Sequence, residues 1–235
     1  MHLSIIVPYR DRALHLARFV PHMTTYLDHF KKGGLIGEYS VHVVEQQPDT
    51  PFNRGKLLNC GFHIARDQAD FICLHDVDYL PVLADYSAVD RPTRLIWHGL
   101  TLQEDHGAFF GAVVQFPADQ FAKTNGYSNG YWGWGFEDVD LRYRCQLIGL
   151  PIGHRDGTFQ ALPHPHNGNQ SGASTPAALR NRKRCIEQIR TLQESHQSDG
   201  LSSLQFERLE DVSLSPRFWL HRVDIGGPPD EGAPE

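Results

Sequence analysis

Between Leu3 and Leu74 the chain alternates short apolar runs with segments of helical period, and this alternation restricts the fold more than any other feature. Leu3 to Val7 (LSIIV) is a short, mostly apolar run closed by Pro8, read as a buried strand. From Arg12 to Lys32, Leu16, Val20, Met23, Leu27 and Phe30 recur at helical spacing, and Pro21 among them predicts a kink or a late helix start. Tyr39 to Glu45 (YSVHVVE) reads as a second strand. Asn53 then serves as N-cap of a helix running to about Gln68, and Phe71 to Leu74 (FICL) is a third buried strand. Buried strands in β-α-β-α-β order point to an α/β fold with a mostly parallel central sheet. Further along, strands are expected at Leu95–Trp97 and Ala112–Phe116. A short helix over Ala118–Thr124 is stopped by Asn125-Gly126. Helices are expected over Glu137–Ile148 and Pro176–Ser195, with a polar loop at Asn167–Thr175 between them.

A chain of 235 residues fits one domain, read as residues 1–225, and the closing GGPPDEGAPE (226–235) has the composition of a disordered tail. The formal net charge of −6 speaks against nucleic acid as the main partner, so any site for a phosphorylated ligand has to be local. The four cysteines form no C-x-x-C pair, as expected of reduced thiols in the cytoplasm. No apolar stretch reaches the length of a membrane span and no signal peptide precedes Leu3, so a protein without an integral membrane segment is expected.

Ligands of open α/β sheets bind at the carboxyl ends of strands, and four polar segments fall there or open a helix. Pro8-Tyr9-Arg10-Asp11-Arg12 follows the first strand, where two arginines and a ring suit a nucleotide but also suit a plain charged loop. In Phe52-Asn53-Arg54-Gly55-Lys56, two cations stand in a first helical turn, which the helix dipole disfavours unless an anion docks there. His75-Asp76-Val77-Asp78 follows the third strand; in extended geometry Asp76 and Asp78 face the same way. One could ligate a divalent cation while the other binds a ribose or the metal's water shell. In His164-Pro165-His166, Pro165 holds His164 extended and gives two imidazoles chelating spacing. A carboxylate with two imidazoles suits Mn²⁺, Zn²⁺ or Fe²⁺ better than Mg²⁺. Between them lies Tyr131-Trp132-Gly133-Trp134-Gly135-Phe136-Glu137-Asp138-Val139-Asp140. Acids opening a helix satisfy its dipole and offer the i,i+4 pairs Asp138–Arg142 and Asp140–Arg144, which accounts for the carboxylates but not for paired tryptophans on a glycine-rich loop.

PYRDR, FNRGKLLN, HDVD and WGWGFEDVD, in this order and at roughly this spacing, resemble the β-1,4-galactosyltransferase family over about residues 3 to 170, with a weaker match to about residue 223. FVPHM at 19–23, His75 before Asp76 and HPH at 164–166 look most like the branch that galactosylates xylose. The resemblance implies a nucleotide-sugar-binding (GT-A-like) domain and an inverting, Mn²⁺-dependent transfer of galactose from UDP-galactose to a glycan or glycoconjugate hydroxyl, with β linkage. Carried over residue by residue, it puts Pro8, Tyr9, Arg10, Arg12, Phe52 and Arg54 around the nucleotide, and Asp76, Val77 and Glu137 at the donor. It makes Asp78, His164 and His166 the metal ligands, Asp138 the catalytic base and an acceptor contact, and Trp134 the loop residue that closes over donor and acceptor.

Three departures bear on specificity and setting. Val139 stands where the family usually has a second aspartate for the acceptor sugar, which weakens xylose or N-acetylglucosamine as the acceptor. Phe109 aligns with a tyrosine that helps choose galactose over N-acetylgalactosamine; it keeps the bulk and loses the hydroxyl. A UDP-N-acetylgalactosamine transferase is therefore the first alternative, and a non-catalytic nucleotide- or carbohydrate-binding module the second. Animal members carry a membrane anchor that this sequence lacks, so a bacterial, cytoplasmic enzyme is expected.

Overall fold

Alternation of side chains along the first strand builds two hydrophobic cores, one on each face of a sheet. In the computed structural model, which describes residues 1–96, 110–163 and 175–229, that strand is β1 (His2–Tyr9). It is followed by α1 (Ala13–Lys32), β2 (Glu38–Gln46), α2 (Arg54–Ala65) and β3 (Phe71–His75), in the expected order. Leu3, Ile5 and Val7 point to one face and pack with Phe19, Met23 and Leu27 of α1. Ile6 points to the other and packs with Leu57, Leu58 and Phe62 of α2. Each fully buried aliphatic or aromatic side chain contributes about 1.5–3 kcal/mol. α2 lies so close on the sheet that a Cβ at Gly61 would stand 2.2 Å from Ile6 Cγ2 and 3.0 Å from Val44 Cγ2.

The remaining elements are β4 (Tyr79–Leu83), β5 (Thr93–Arg94), β6 (Val113–Pro117), α3 (Ala118–Lys123), α4 (Glu137–Leu147), β7 (Gly153–His154) and β8 (Thr158–Ala161). After them come α5 (Pro176–Arg190), α6 (Leu192–Ser195), β9 (Glu207–Ser215) and β10 (Phe218–Asp224). Among the described residues the main sheet runs β7-β5-β6-β3-β1-β2-β10-β9. Its centre, β3-β1-β2-β10, is parallel, with β6 and β9 added antiparallel on either side. β1 has β2 on one side and β3 on the other, so the connections diverge there and leave a crevice at the carboxyl ends of these strands. A second, two-stranded sheet pairs β4 with β8 antiparallel.

Several local expectations are corrected. β1 runs through Pro8, because the ladder to β3 ends at Ile6 and Pro8 is flanked by β2 alone. α1 does not start late: it is helical from Ala13 with Pro21 inside it, held by burial of Phe19, Met23 and Leu27 on both sides of the proline. The strand expected at Leu95 lies instead at Thr93–Arg94, and Trp97 is outside the described residues. Leu95 and Ile96 are buried, but apolar character marks burial and not membership of a ladder. The helix expected over Pro176–Ser195 breaks at Thr191, whose N–H bonds the carbonyls of Glu187 and Gln188. β9 and β10 were not expected from the sequence. β9 is mostly exposed and polar, and main-chain pairing with β10 joins it to the sheet. Residues 226–229 belong to no helix or strand, and the rest of the expected tail lies outside the described residues.

Candidate active site

One guanidinium joins three segments that are far apart in sequence. Arg54, the first residue of α2, donates from Nε to Asp76 Oδ1 at 2.7 Å and from Nη1 to Glu137 Oε1 at 3.5 Å. Asn53 makes this placement possible. Its side chain caps α2 by accepting from Lys56 N at 2.9 Å, and its Nδ2 donates to Asn129 O at 2.8 Å. The protein's own carboxylates satisfy Arg54, while Lys56 donates to Ile225 O at 2.6 Å and lies over the Trp132 ring.

At the end of β1 the Tyr9 ring is buried in the α1-side core, and burial pushes its hydroxyl pKa up. Arg10 turns the other way, donating to Thr50 O at 2.6 Å with its guanidinium 5.3 Å from the centre of the Phe52 ring. Phe52 O in turn accepts from Gly133 N at 2.7 Å, which ties the segment before α2 to the tryptophan loop. Pro8, Tyr9, Arg10, Arg12, Phe52 and Arg54 thus gather around the crevice ends of β1 and β2.

Asp76 and Asp78 do not share an extended segment. The chain turns after β3, with Tyr79 N bonded to Asp76 O at 3.3 Å, because it must reverse into β4. Asp76 consequently faces Arg54, while the charges of Arg12 and His15 face Asp78. Val77 between them is buried in the α1-side core, so its side chain is turned away from the crevice. Burial raises the Asp78 carboxyl pKa against the pull of those cations. The β4–β8 pairing brings a distant part of the sequence to this residue: Leu162 N donates to the Asp78 backbone carbonyl at 2.7 Å, and His15 Nε2 lies 3.1 Å from Pro163 O. His164 and His166, the two expected imidazole ligands, follow directly in sequence but lie outside the described residues, as does Phe109. Among the described residues no cluster of three metal-ligating side chains occurs. A half-buried carboxylate whose main chain is bonded to Leu162, two residues before His164 in sequence, is nevertheless a fitting start for a carboxylate–imidazole metal site.

The acids open α4. Phe136 precedes them in the left-handed region at φ 73°, after Gly133 at φ 82° and Gly135 at φ 94°. This backbone separates the two tryptophans. Trp132 is buried against α2, whereas Trp134 is 55% exposed. Asn181 of α5 holds the loop by donating to the carbonyls of Trp132 (3.3 Å) and Trp134 (3.1 Å). Burial carries Glu137 up to about 7, with the neighbouring Asp138 charge adding to the rise and Arg54 opposing it. Asp138 is also raised, chiefly by burial, while Arg54 and the N–H groups of Val139 and Phe110 hold it down. An aspartate so placed is a stronger base than one in water.

The two expected i,i+4 pairs part company. Asp140 and Arg144 form a fully buried pair at 2.5 Å, completed by the Tyr131 hydroxyl at 3.0 Å and by Arg144 Nη1 on Asp199 O at 2.7 Å. Asp138 and Arg142 form no ion pair, which leaves Asp138 to the crevice. Sequence reasoning missed two residues of the site. His15 is one residue before Leu16, where the apolar stripe of α1 begins, and carries no motif. Tyr127, fully buried beside Arg54 and Glu137, sits in a stretch whose only signal is the Asn-Gly turn before it.

The model for the N-terminal region of glycosyl transferase group 7 matches residues 1–88, and that for the N-terminal domain of galactosyltransferase matches residues 98–166. Beta-1,4-galactosyltransferase 7 of Drosophila melanogaster is 31% identical over 216 residues, covering 88% of this chain and 63% of that protein. Beta-1,4-galactosyltransferase 4 of Rattus norvegicus is 30% identical over 233 residues, covering 95% of this chain and 63% of that protein. The chain therefore spans less than two thirds of the length of these relatives. Among solved structures, the catalytic domain of the Drosophila beta-1,4-galactosyltransferase 7 in complex with xylobiose superposes with a TM-score of 0.74 at 27% identity, over 96% of this chain and 94% of that one. An aspartate-to-asparagine variant of the same enzyme, solved with manganese, UDP-Gal and xylobiose, gives a TM-score of 0.73. With both models matched in order over more than half of its length, the chain belongs to the glycosyl transferase group 7 family, that of the β-1,4-galactosyltransferases.

Proposed function

We propose that the chain transfers galactose from UDP-galactose to a sugar hydroxyl with inversion, forming a β linkage. The observation that carries this reading is the carboxylate pair at the α4 N-terminus, Glu137 buried and Asp138 half-buried, opening on a crevice where Arg54 links Glu137 to Asp76. Asp138 accepts the proton of the acceptor hydroxyl as its oxygen attacks the anomeric carbon, while the bond from that carbon to the UDP oxygen breaks. Arg54 keeps Asp76 and Glu137 in place at the donor sugar. Pro8, Tyr9, Arg10, Arg12 and Phe52 hold the nucleotide side, and Trp134 on its glycine-flanked loop covers donor and acceptor and excludes water. Mn²⁺, which Asp78, His164 and His166 would hold, supplies positive charge to the departing diphosphate. No helix of the described residues is long and apolar enough to cross a membrane. The affinity to the xylosylprotein branch, supported by the likeness to the Drosophila enzyme, belongs to this proposal, as does a bacterial, cytoplasmic setting. For the cytoplasm speak four buried, free thiols.

Calorimetry of UDP-galactose, UDP-N-acetylgalactosamine and UDP-glucose with and without Mn²⁺ tests donor and metal together. Tight, Mn²⁺-dependent binding of UDP-galactose is expected, and Asp138→Asn should keep that binding while losing transfer and donor hydrolysis. Preference for UDP-N-acetylgalactosamine would overturn the choice of sugar, and full activity of Asp138→Asn would remove the base.

A further inference from the structure

The Tyr127 ring is closely held beside the reacting centre, yet packing leaves its hydroxyl without a task. The residue is pinned to α2 through both backbone groups: Tyr127 N donates to Asn59 Oδ1 at 2.9 Å, and Asn59 Nδ2 donates to Tyr127 O at 2.8 Å. The side chain then packs against the first turn of α2, where a Cβ at Gly55 would stand 3.0 Å from Tyr127 Cβ. Phe121 of α3 meets the ring with centroids 6.2 Å apart. Held in this way Tyr127 is fully buried, and the charges acting on its hydroxyl are those of Arg54, Glu137 and Asp138. The hydroxyl nevertheless makes no well-formed hydrogen bond, to Arg54 or to any other group among the described residues. A buried hydroxyl without a partner costs free energy, and phenylalanine would fill the same space without that cost. Packing therefore accounts for the ring and not for the oxygen.

The neighbouring contact is itself incomplete. Arg54 reaches Asp76 at 2.7 Å but Glu137 only at 3.5 Å, the outer edge of hydrogen-bonding distance. A phenol can accept from a guanidinium and donate to a carboxylate at the same time. We infer that Tyr127 is a positioning residue that bridges Arg54 and Glu137 in the donor complex. Its oxygen accepts from Arg54 and its O–H donates to Glu137, which fixes the carboxylate that accepts hydrogen bonds from the donor sugar. Placing Glu137 at that sugar rests on the transferase reading. Tyr127 itself does not touch the donor, since its hydroxyl is shut off from solvent.

The test compares wild type with Tyr127→Phe by calorimetry of the whole chain with UDP-galactose and with UDP, both in Mn²⁺, beside thermal unfolding without ligand. UDP-galactose binding should weaken about tenfold or more, the loss of one hydrogen bond to a charged group. UDP binding should not change, because Arg54 keeps its bond to Asp76, and the Tm without ligand should be equal or higher. In a Glu137→Ala background the same substitution should cost little, because the group it acts through is gone. Unaltered UDP-galactose affinity, an equal loss for UDP, a lower Tm without ligand, or additive losses with Glu137→Ala would overturn the bridge. A wild-type chain that binds no UDP-galactose would refute the transferase reading and this inference with it. A wild-type chain that binds it while Tyr127→Phe binds equally well refutes the inference alone.

Discussion

Replacing Glu137 by glutamine should make the fold more stable at alkaline pH. Burial and the Asp138 charge raise the Glu137 carboxyl from 4.5 to about 7, so between these values the folded state binds a proton that the unfolded state has released. Stability therefore falls as pH rises through this window, and the penalty is complete above about pH 7. With each pKa unit worth about 1.4 kcal/mol, the ionised side chain costs the fold on the order of 3 kcal/mol. Glutamine has the shape of the protonated acid and can still accept from Arg54, so below pH 4.5 variant and wild type should be equally stable. At pH 8.5 the variant should gain about 3 kcal/mol, read from urea unfolding with unchanged m-value. A variant less stable than wild type at pH 8.5, or a difference that does not change with pH, would show that the Arg54–Glu137 contact outweighs desolvation and would refute the reasoning. The same variant should bind UDP-galactose more weakly, since a fold that tolerates such a charge at its site trades stability for function.

Two further expectations concern the scaffold. Arg144→Met leaves Asp140 as a buried charge with only the Tyr131 hydroxyl, and should cost about 3–5 kcal/mol by chemical denaturation; a loss below about 1 kcal/mol would mean the pair is structurally idle. Gly61→Ala should cost about 1–3 kcal/mol by overpacking against Ile6 and Val44; adding Ile6→Ala should recover part of that cost in a double-mutant cycle, and strict additivity would place the clash elsewhere.

The sequence by itself determined the β-α-β-α-β beginning, because runs such as LSIIV and FICL are almost wholly apolar and too short for a helix, which marks them as strands covered on both sides. It also determined where α2 begins, since the Asn53 cap is a local contact. Strand ends at Tyr9 and His75 and the helix start at Glu137 were legible for the same reason, and with them the candidate residues. What these residues do to one another was not legible. Asp76 and Asp78 read as one extended pair, yet the reversal into β4 sends one to Arg54 and the other toward Arg12 and His15. Asp138–Arg142 and Asp140–Arg144 have identical spacing, and only packing buries the second and leaves the first unmade. β9 carries almost no apolar signal, since β10 recruits it through main-chain hydrogen bonds that any sequence can make. The approach of Leu162 to the Asp78 main chain depends on the β4–β8 pairing, which joins segments far apart in sequence. Periodicity and capping are properties of neighbours along the chain, whereas burial, charge pairing and the pKa of Glu137 are set by neighbours in space, and those exist only once the sheet has assembled.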